Sequence, residues 1–144
     1  MTHLIAFKTA DTSHIADVSL NDDPHLFVPV EANSVYTVTG QVLVSHSALG
    51  GDGINMGFSG GTGSLYVYGN NGTEVGAMIT STSQTFGRLI DPGAVSTLGQ
   101  CYWIRGYLDT SGSPTNYRWR FAQNVSNGIA SIVKEGSWMH LVKI

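Results

Sequence analysis

Apolar and polar residues alternate along this chain in short runs, and Gly, Asn, Asp, Ser or Pro interrupts the runs almost from end to end. Val35-Tyr36-Thr37-Val38-Thr39-Gly40-Gln41-Val42-Leu43-Val44 is one such run, and Asn116-Tyr117-Arg118-Trp119-Arg120-Phe121-Ala122-Gln123 is another. Side chains on a strand point to opposite faces with period two, so these runs suit half-buried antiparallel sheet. No window has the 3.6-residue period of an amphipathic helix. The expected fold class is therefore all-β, an antiparallel β-sandwich, jelly-roll-like, of about eight or nine strands.

The strands are expected near residues 3–9, 25–31, 34–46, 53–59, 63–69, 75–88, 100–110, 115–123 and 129–143. Turn-forming clusters stand between them. Asn71-Gly72 suits a tight hairpin, where both central residues need positive φ, and Asp91-Pro92-Gly93 suits a turn with φ preset by proline. The glycine clusters at 50–53 and 60–63 lack the Gly-Lys-Ser/Thr ending of a phosphate loop and read as hairpin loops. No linker or repeat divides the chain, so residues 1–144 are expected as one domain.

Period two also assigns faces. Tyr36, Val38, Gly40, Val42 and Val44 share one side of their strand; Tyr117, Trp119, Phe121 and Gln123 share one side of theirs. Trp138, His140 and Val142 oppose Met139, Leu141 and Lys143, so the last strand is apolar on both faces and is expected to lie centrally, with a cover on each side. A neighbouring subunit is one candidate for a cover.

Charged residues make up only 12% of the chain, about half the usual share, so its surface must be covered by small polar side chains or by other protein. The net charge of −3 has the wrong sign for a protein that binds nucleic acid by displacing counterions, and no nucleic-acid partner is expected. No apolar run approaches the length of a membrane span and no signal segment opens the chain, so no membrane association is expected and synthesis is placed in the cytoplasm. Charge is uneven, however. Residues 1–87 hold one basic side chain, Lys8, against seven acidic ones, while residues 88–144 hold six basic against three acidic. Either the halves pair within one molecule, or subunits complement one another head to tail.

Chemistry-bearing residues are few. His3, His14, His25, His46 and His140 show no metal-site spacing, and there is no GxSxG elbow and no base beside Cys101, which is expected as a small buried hydrophobe. Asn21-Asp22-Asp23 offers oxygens to a calcium ion or, more simply, caps its own backbone ahead of Pro24. No catalytic, cofactor-binding or metal residue is assigned, no cofactor is expected, and the chain is read as a non-enzyme. Arg118 and Arg120 on one strand face, with Trp138, are the candidate interface residues; a solvated face is the plainer reading of the arginines. Tyr66, Tyr68 and Trp103 form the candidate glycan platform if exposed, and belong to the core or an interface if covered.

Several pieces taken together resemble a known module. These are Pro29-Val30-Glu31-Ala32-Asn33-Ser34-Val35-Tyr36, Ile54-Asn55-Met56-Gly57-Phe58, Trp119-Arg120-Phe121-Ala122-Gln123-Asn124-Val125-Ser126-Asn127 and Gly136-Ser137-Trp138-Met139. The series is similar to a small β-rich module of virion structural proteins in tailed bacteriophages, especially those infecting actinobacteria, and covers the chain from about Pro24 onward. It departs from that pattern at Ser59-Gly60-Gly61-Thr62-Gly63, where a proline-containing turn is expected. The resemblance implies a capsid decoration (cement) protein on the virion surface, a homo-oligomer, expected as a trimer, with the major capsid protein as partner. A tail or fibre module that binds host-surface glycan is the alternative. Residues 1–20, free of glycine and outside the resemblance, are expected as an N-terminal arm that reaches across a subunit or capsid boundary.

Overall fold

The computed structural model describes residues 1–46, 54–69, 76–79, 100–110, 112 and 115–144. These form eleven strands and no helix: β1 (His3–Phe7), β2 (Thr12–His14), β3 (Asn21–Val30), β4 (Val35–His46), β5 (Ile54–Ser59), β6 (Thr62–Gly69), β7 (Gly76–Ile79), β8 (Gln100–Asp109), β9 (Thr115–Gln123), β10 (Ser131–Val133) and β11 (Trp138–Lys143). They build two antiparallel sheets. The large one runs β1-β11-β4-β8-β6-β7, with β10 bridging β4 and β2; the small one runs β3-β9-β5. Successive strands switch sheets: β3 is in the small one, β4 in the large, β5 in the small, β6 in the large, then β8 in the large and β9 in the small. This switching is the connectivity of a jelly-roll-like sandwich.

The strand faces follow the sequence pattern. Tyr36, Val38, Val42 and Val44 of β4 and Tyr117, Trp119 and Phe121 of β9 are buried between the sheets, together with Leu26, Ile54, Met56, Phe58, Leu65, Tyr102 and Leu141. Each large side chain taken from water here stabilises the fold by roughly 1.5–3 kcal/mol. β11 does lie inside the large sheet, between β1 and β4, with Met139 and Leu141 facing the core.

Four local readings change. There are eleven strands rather than eight or nine, because the expected 129–143 strand breaks into β10 and β11 at Gly136, whose φ is +82°, and because β2 is too short and polar to show alternation. The expected 75–88 strand is seen as Gly76–Ile79; its remainder, the 50–53 cluster, Asn71-Gly72 and Asp91-Pro92-Gly93 lie outside the described residues. Gly60-Gly61 is not a hairpin loop: it links β5 of the small sheet to β6 of the large one. Gly60 holds φ at +92°, and a Cβ there would stand 2.1 Å from the carbonyl oxygen of Asn116, so both conformation and space demand glycine. Finally, Cys101 is half-buried rather than core, and Gln41 Nε2 donates to its Sγ at 2.9 Å.

β3 begins at Asn21, four residues before the expected start, and its ladder with β9 shifts register between Asp22 and Phe27. The shift turns Asp23 inward. Its Oδ1 accepts from the backbone N–H groups of His25 and Leu26, both at 2.9 Å, so the aspartate does cap its own backbone. Its Oδ2 takes a 2.6 Å bond from Lys8 Nζ, which also donates to Thr12 Oγ1 at 2.6 Å. Both charged side chains are wholly inaccessible. Residues 1–20, expected as an arm, therefore lie against their own domain: β1 pairs β11, β2 pairs β10, and Lys8 is anchored inside.

Candidate interaction face

The two sheets turn contrasting outer faces to solvent. On the small sheet, Asp22 of β3 sits between two arginines of β9, 3.6 Å from Arg118 and 3.0 Å from Arg120. Arg118 also lies over the Phe27 ring, 4.9 Å from its centroid, and Arg120 donates to the Leu20 carbonyl at 2.7 Å. The two candidate interface arginines are thus engaged within their own chain. Among the described residues, four ion pairs join the acidic half to the basic half: the two on Asp22, Lys143 with Glu31 at 2.7 Å, and Lys134 with Asp11. Of the two accounts of the charge asymmetry, pairing within one molecule is the one observed.

These exposed pairs set local proton affinities. Asp11 is held below the usual carboxylate range by its bond from Lys134 and by the backbone N–H of Glu135. Asp17 is lowered by the N–H of Ser19 and the side chain of Asn21, and Lys143 is raised by Glu31. Inside the sandwich, burial alone pushes the Tyr117 and Tyr102 phenols well up.

The large sheet is different. Pairing registers align its outward residues in rows across five strands. Phe7, Trp138, Gln41, Trp103 and Tyr68 form one row, and Ile5, His140, Thr39, Arg105 and Tyr66 the next. His3, Val142, Thr37, Tyr107 and Ser64 form a third. Phe7 is 62% exposed and Trp103 and Tyr107 are each 49% exposed, while Tyr66 and Tyr68 stack with centroids 6.1 Å apart and planes 17° apart. Trp138 is half-buried and its indole N–H donates to Gln41 Oε1 at 3.2 Å. Beside it a groove of about 310 Å³ runs between Trp138, Trp103 and Tyr68, floored by Gly40 and Ile104 and edged by Thr39 and Arg105. Arg105 is the one fixed charge in these three rows.

The structure therefore brings Trp138, Trp103, Tyr68 and Tyr66 onto one face and sets Arg118 and Arg120 on the other. Sequence parity places Phe7 and Ile5 with the former group only once β1 is known to pair β11; nothing local signals it. The same holds for His3 and His140, 137 residues apart, which the sheet brings into contact. Among the described residues no three His, Cys, Asp or Glu side chains gather to hold a metal.

No family model and no curated protein matches this chain. Among solved structures it is similar to rabbit GITRL, at 12% identity and a TM-score of 0.35 over 98% of this chain and 93% of that one. It is also similar to the infectious bursal disease virus Gt strain, at 9% identity and a TM-score of 0.29 over 99% of this chain. A third match is the T13 particle of infectious bursal disease virus, at 11% identity and a TM-score of 0.28. The chain spans about two fifths of the length of those viral chains, 41% and 38%.

Proposed function

We propose that this chain is a virion structural protein, a capsid decoration protein that binds and stabilises a bacteriophage head shell as an oligomer, with the outer face of the large sheet as its protein-contact surface. That face is the observation that supports the reading: exposed aromatic and aliphatic side chains interspersed with small polar ones and a single fixed charge across three rows, opposite a face where the arginines are already paired. Contact surfaces concentrate aromatics and shed charge at their centre, and a large exposed apolar patch marks a place that another surface covers. The motif resemblance described above supplies the virion context, with a trimer on the major capsid protein at the virion surface as its particular form. The mechanism is thermodynamic. A protein that binds only the assembled lattice stabilises it by mass action, and an oligomer multiplies weak contacts through effective concentration. No step of this needs an enzyme.

Co-sedimentation of the purified protein with phage heads lacking it, beside its own mass by light scattering, tests the reading. Stoichiometric pelleting of an oligomer with heads is the expected result; a monomer that stays in the supernatant overturns it.

A tail or fibre module that binds host glycan is supported by one observation of its own, the accessibility of Tyr66, Tyr68 and Trp103 beside the groove. Rings stack on sugar C–H faces while polar neighbours hold hydroxyls. Quenching of tryptophan fluorescence by host-wall polysaccharide, with no binding to heads, is the outcome that selects it.

A further inference from the structure

We propose that His3 and His140 form a two-histidine site for a borderline divalent transition-metal ion, with nickel as the probe. The two rings reach one another from neighbouring strands. β1 and β11 pair His3 with Val142 and Ile5 with His140, which makes the histidines a diagonal cross-strand pair on the outer face. Such diagonal positions are within reach of long or aromatic side chains. His3 Nδ1 stands 3.0 Å from His140 Nε2, with the rings 15° from parallel.

That geometry is close to what a metal requires. Imidazole nitrogen bonds these ions at roughly 2.0–2.1 Å, and two such ligands in cis positions stand about 2.9 Å apart at a right angle and about 3.3 Å apart in a tetrahedron. The observed separation lies between the two and nearer the first, which favours square-planar or octahedral ions. The contact as it stands uses one proton between the two nitrogens. An ion takes both lone pairs instead, once each ring turns by roughly 35–45° so that its lone pair leaves the N···N line, and each ring keeps its proton on the far nitrogen.

The scaffold is suited to holding the pair. Both histidines lie in a sheet, and β11 is pinned on its other side by β4, where Thr39 Oγ1 contacts the His140 carbonyl at 3.5 Å. Ile5, Val142 and Thr39 flank the rings on this face. The charged residue in the same row, Arg105, is separated from His140 by the β4 strand. Two protein ligands leave the other coordination positions open to water wherever this edge of the face is uncovered, so the expected affinity is moderate.

Calorimetric titration of the untagged chain with Ni²⁺ near neutral pH is the test. One saturable site per chain is expected, with a higher Tm in its presence. His140→Ala and His140→Gln should each weaken binding at least tenfold, as should His3→Ala, while His25→Ala leaves it unchanged. The three variants at His3 and His140 should melt as the parent does without metal, since the paired rings are at the surface. Absence of a saturable site overturns the proposal. So does retention of full affinity in both His140 variants alongside loss in His3→Ala, which would put the ion on His3 and the amino-terminal amine alone.

Discussion

Lys8 and Asp23 are the residues on which this fold spends most to hold its amino-terminal segment. Desolvating two charges costs several kcal/mol each, and a 2.6 Å bond, a hydroxyl and two backbone N–H groups offset that cost. Removing one partner leaves the other charge buried alone, so Lys8→Met is expected to destabilise by about 3–5 kcal/mol, measured by urea unfolding. Tyr117 behaves oppositely. Its hydroxyl is wholly buried and has no hydrogen-bond partner among the described residues, and burial alone raises the phenol. Tyr117→Phe removes an unsatisfied group at nearly constant volume, so stability should hold or rise, by up to about 1 kcal/mol. A loss of more than that would mean the hydroxyl is bonded in solution. Neither residue announces its environment in the sequence: Lys8 stands out only as the one basic side chain of residues 1–87, and Tyr117 is one of several aromatics on one strand face.

Elements were legible wherever period two was clean. β4, β8 and β9 stand where the alternation puts them, and the faces read as shared in β4 and β9 turn inward, because burial on one side is what created the pattern. β2, three residues long, is held by neighbours rather than by pattern and left no signal, while β10 was legible only as part of one longer strand with β11. The sheet to which each strand belongs was equally hidden, since glycines make a corner between sheets as readily as a hairpin. At that corner Gly60→Ala should cost more than 2 kcal/mol, through positive φ and the clash with Asn116, and should lower Tm well beyond the usual glycine-to-alanine change. Asp11 links the β1–β2 connection to the β10–β11 turn through Lys134 and the Glu135 N–H. Its folded pKa lies below the usual carboxylate range, so its contribution is present above that range and fades as pH falls from about 5 through the folded pKa. The side chain is 42% exposed, so solvent screening limits the effect to a few tenths of a kcal/mol. Asp11→Asn should therefore flatten the acid limb of a urea-midpoint profile slightly and leave its alkaline limb unchanged.

At the scale of the whole molecule, one face is ionic and self-satisfied and the other aromatic and open. Trp103→Ser with Tyr68→Ser should leave the folding free energy within about 1 kcal/mol of the parent's, because exposed side chains contribute little to folding, yet on the proposed reading should shift light-scattering mass toward the monomer. Oligomer mass unchanged by this pair would move the contact surface elsewhere. The sequence named these aromatics but not their company, since strands far apart in the chain assemble the face. That same remoteness governs how the molecule forms. Residue 3 pairs with residue 142, and β11 separates β1 from β4, so the first strand has no partner in the large sheet until the last has been synthesised. Pairings across such separations close slowly, on millisecond-to-second scales for β-sandwiches. Deleting β11 would therefore strip β1 of its ladder and open one edge of β4, which keeps its pairing with β8 and β10.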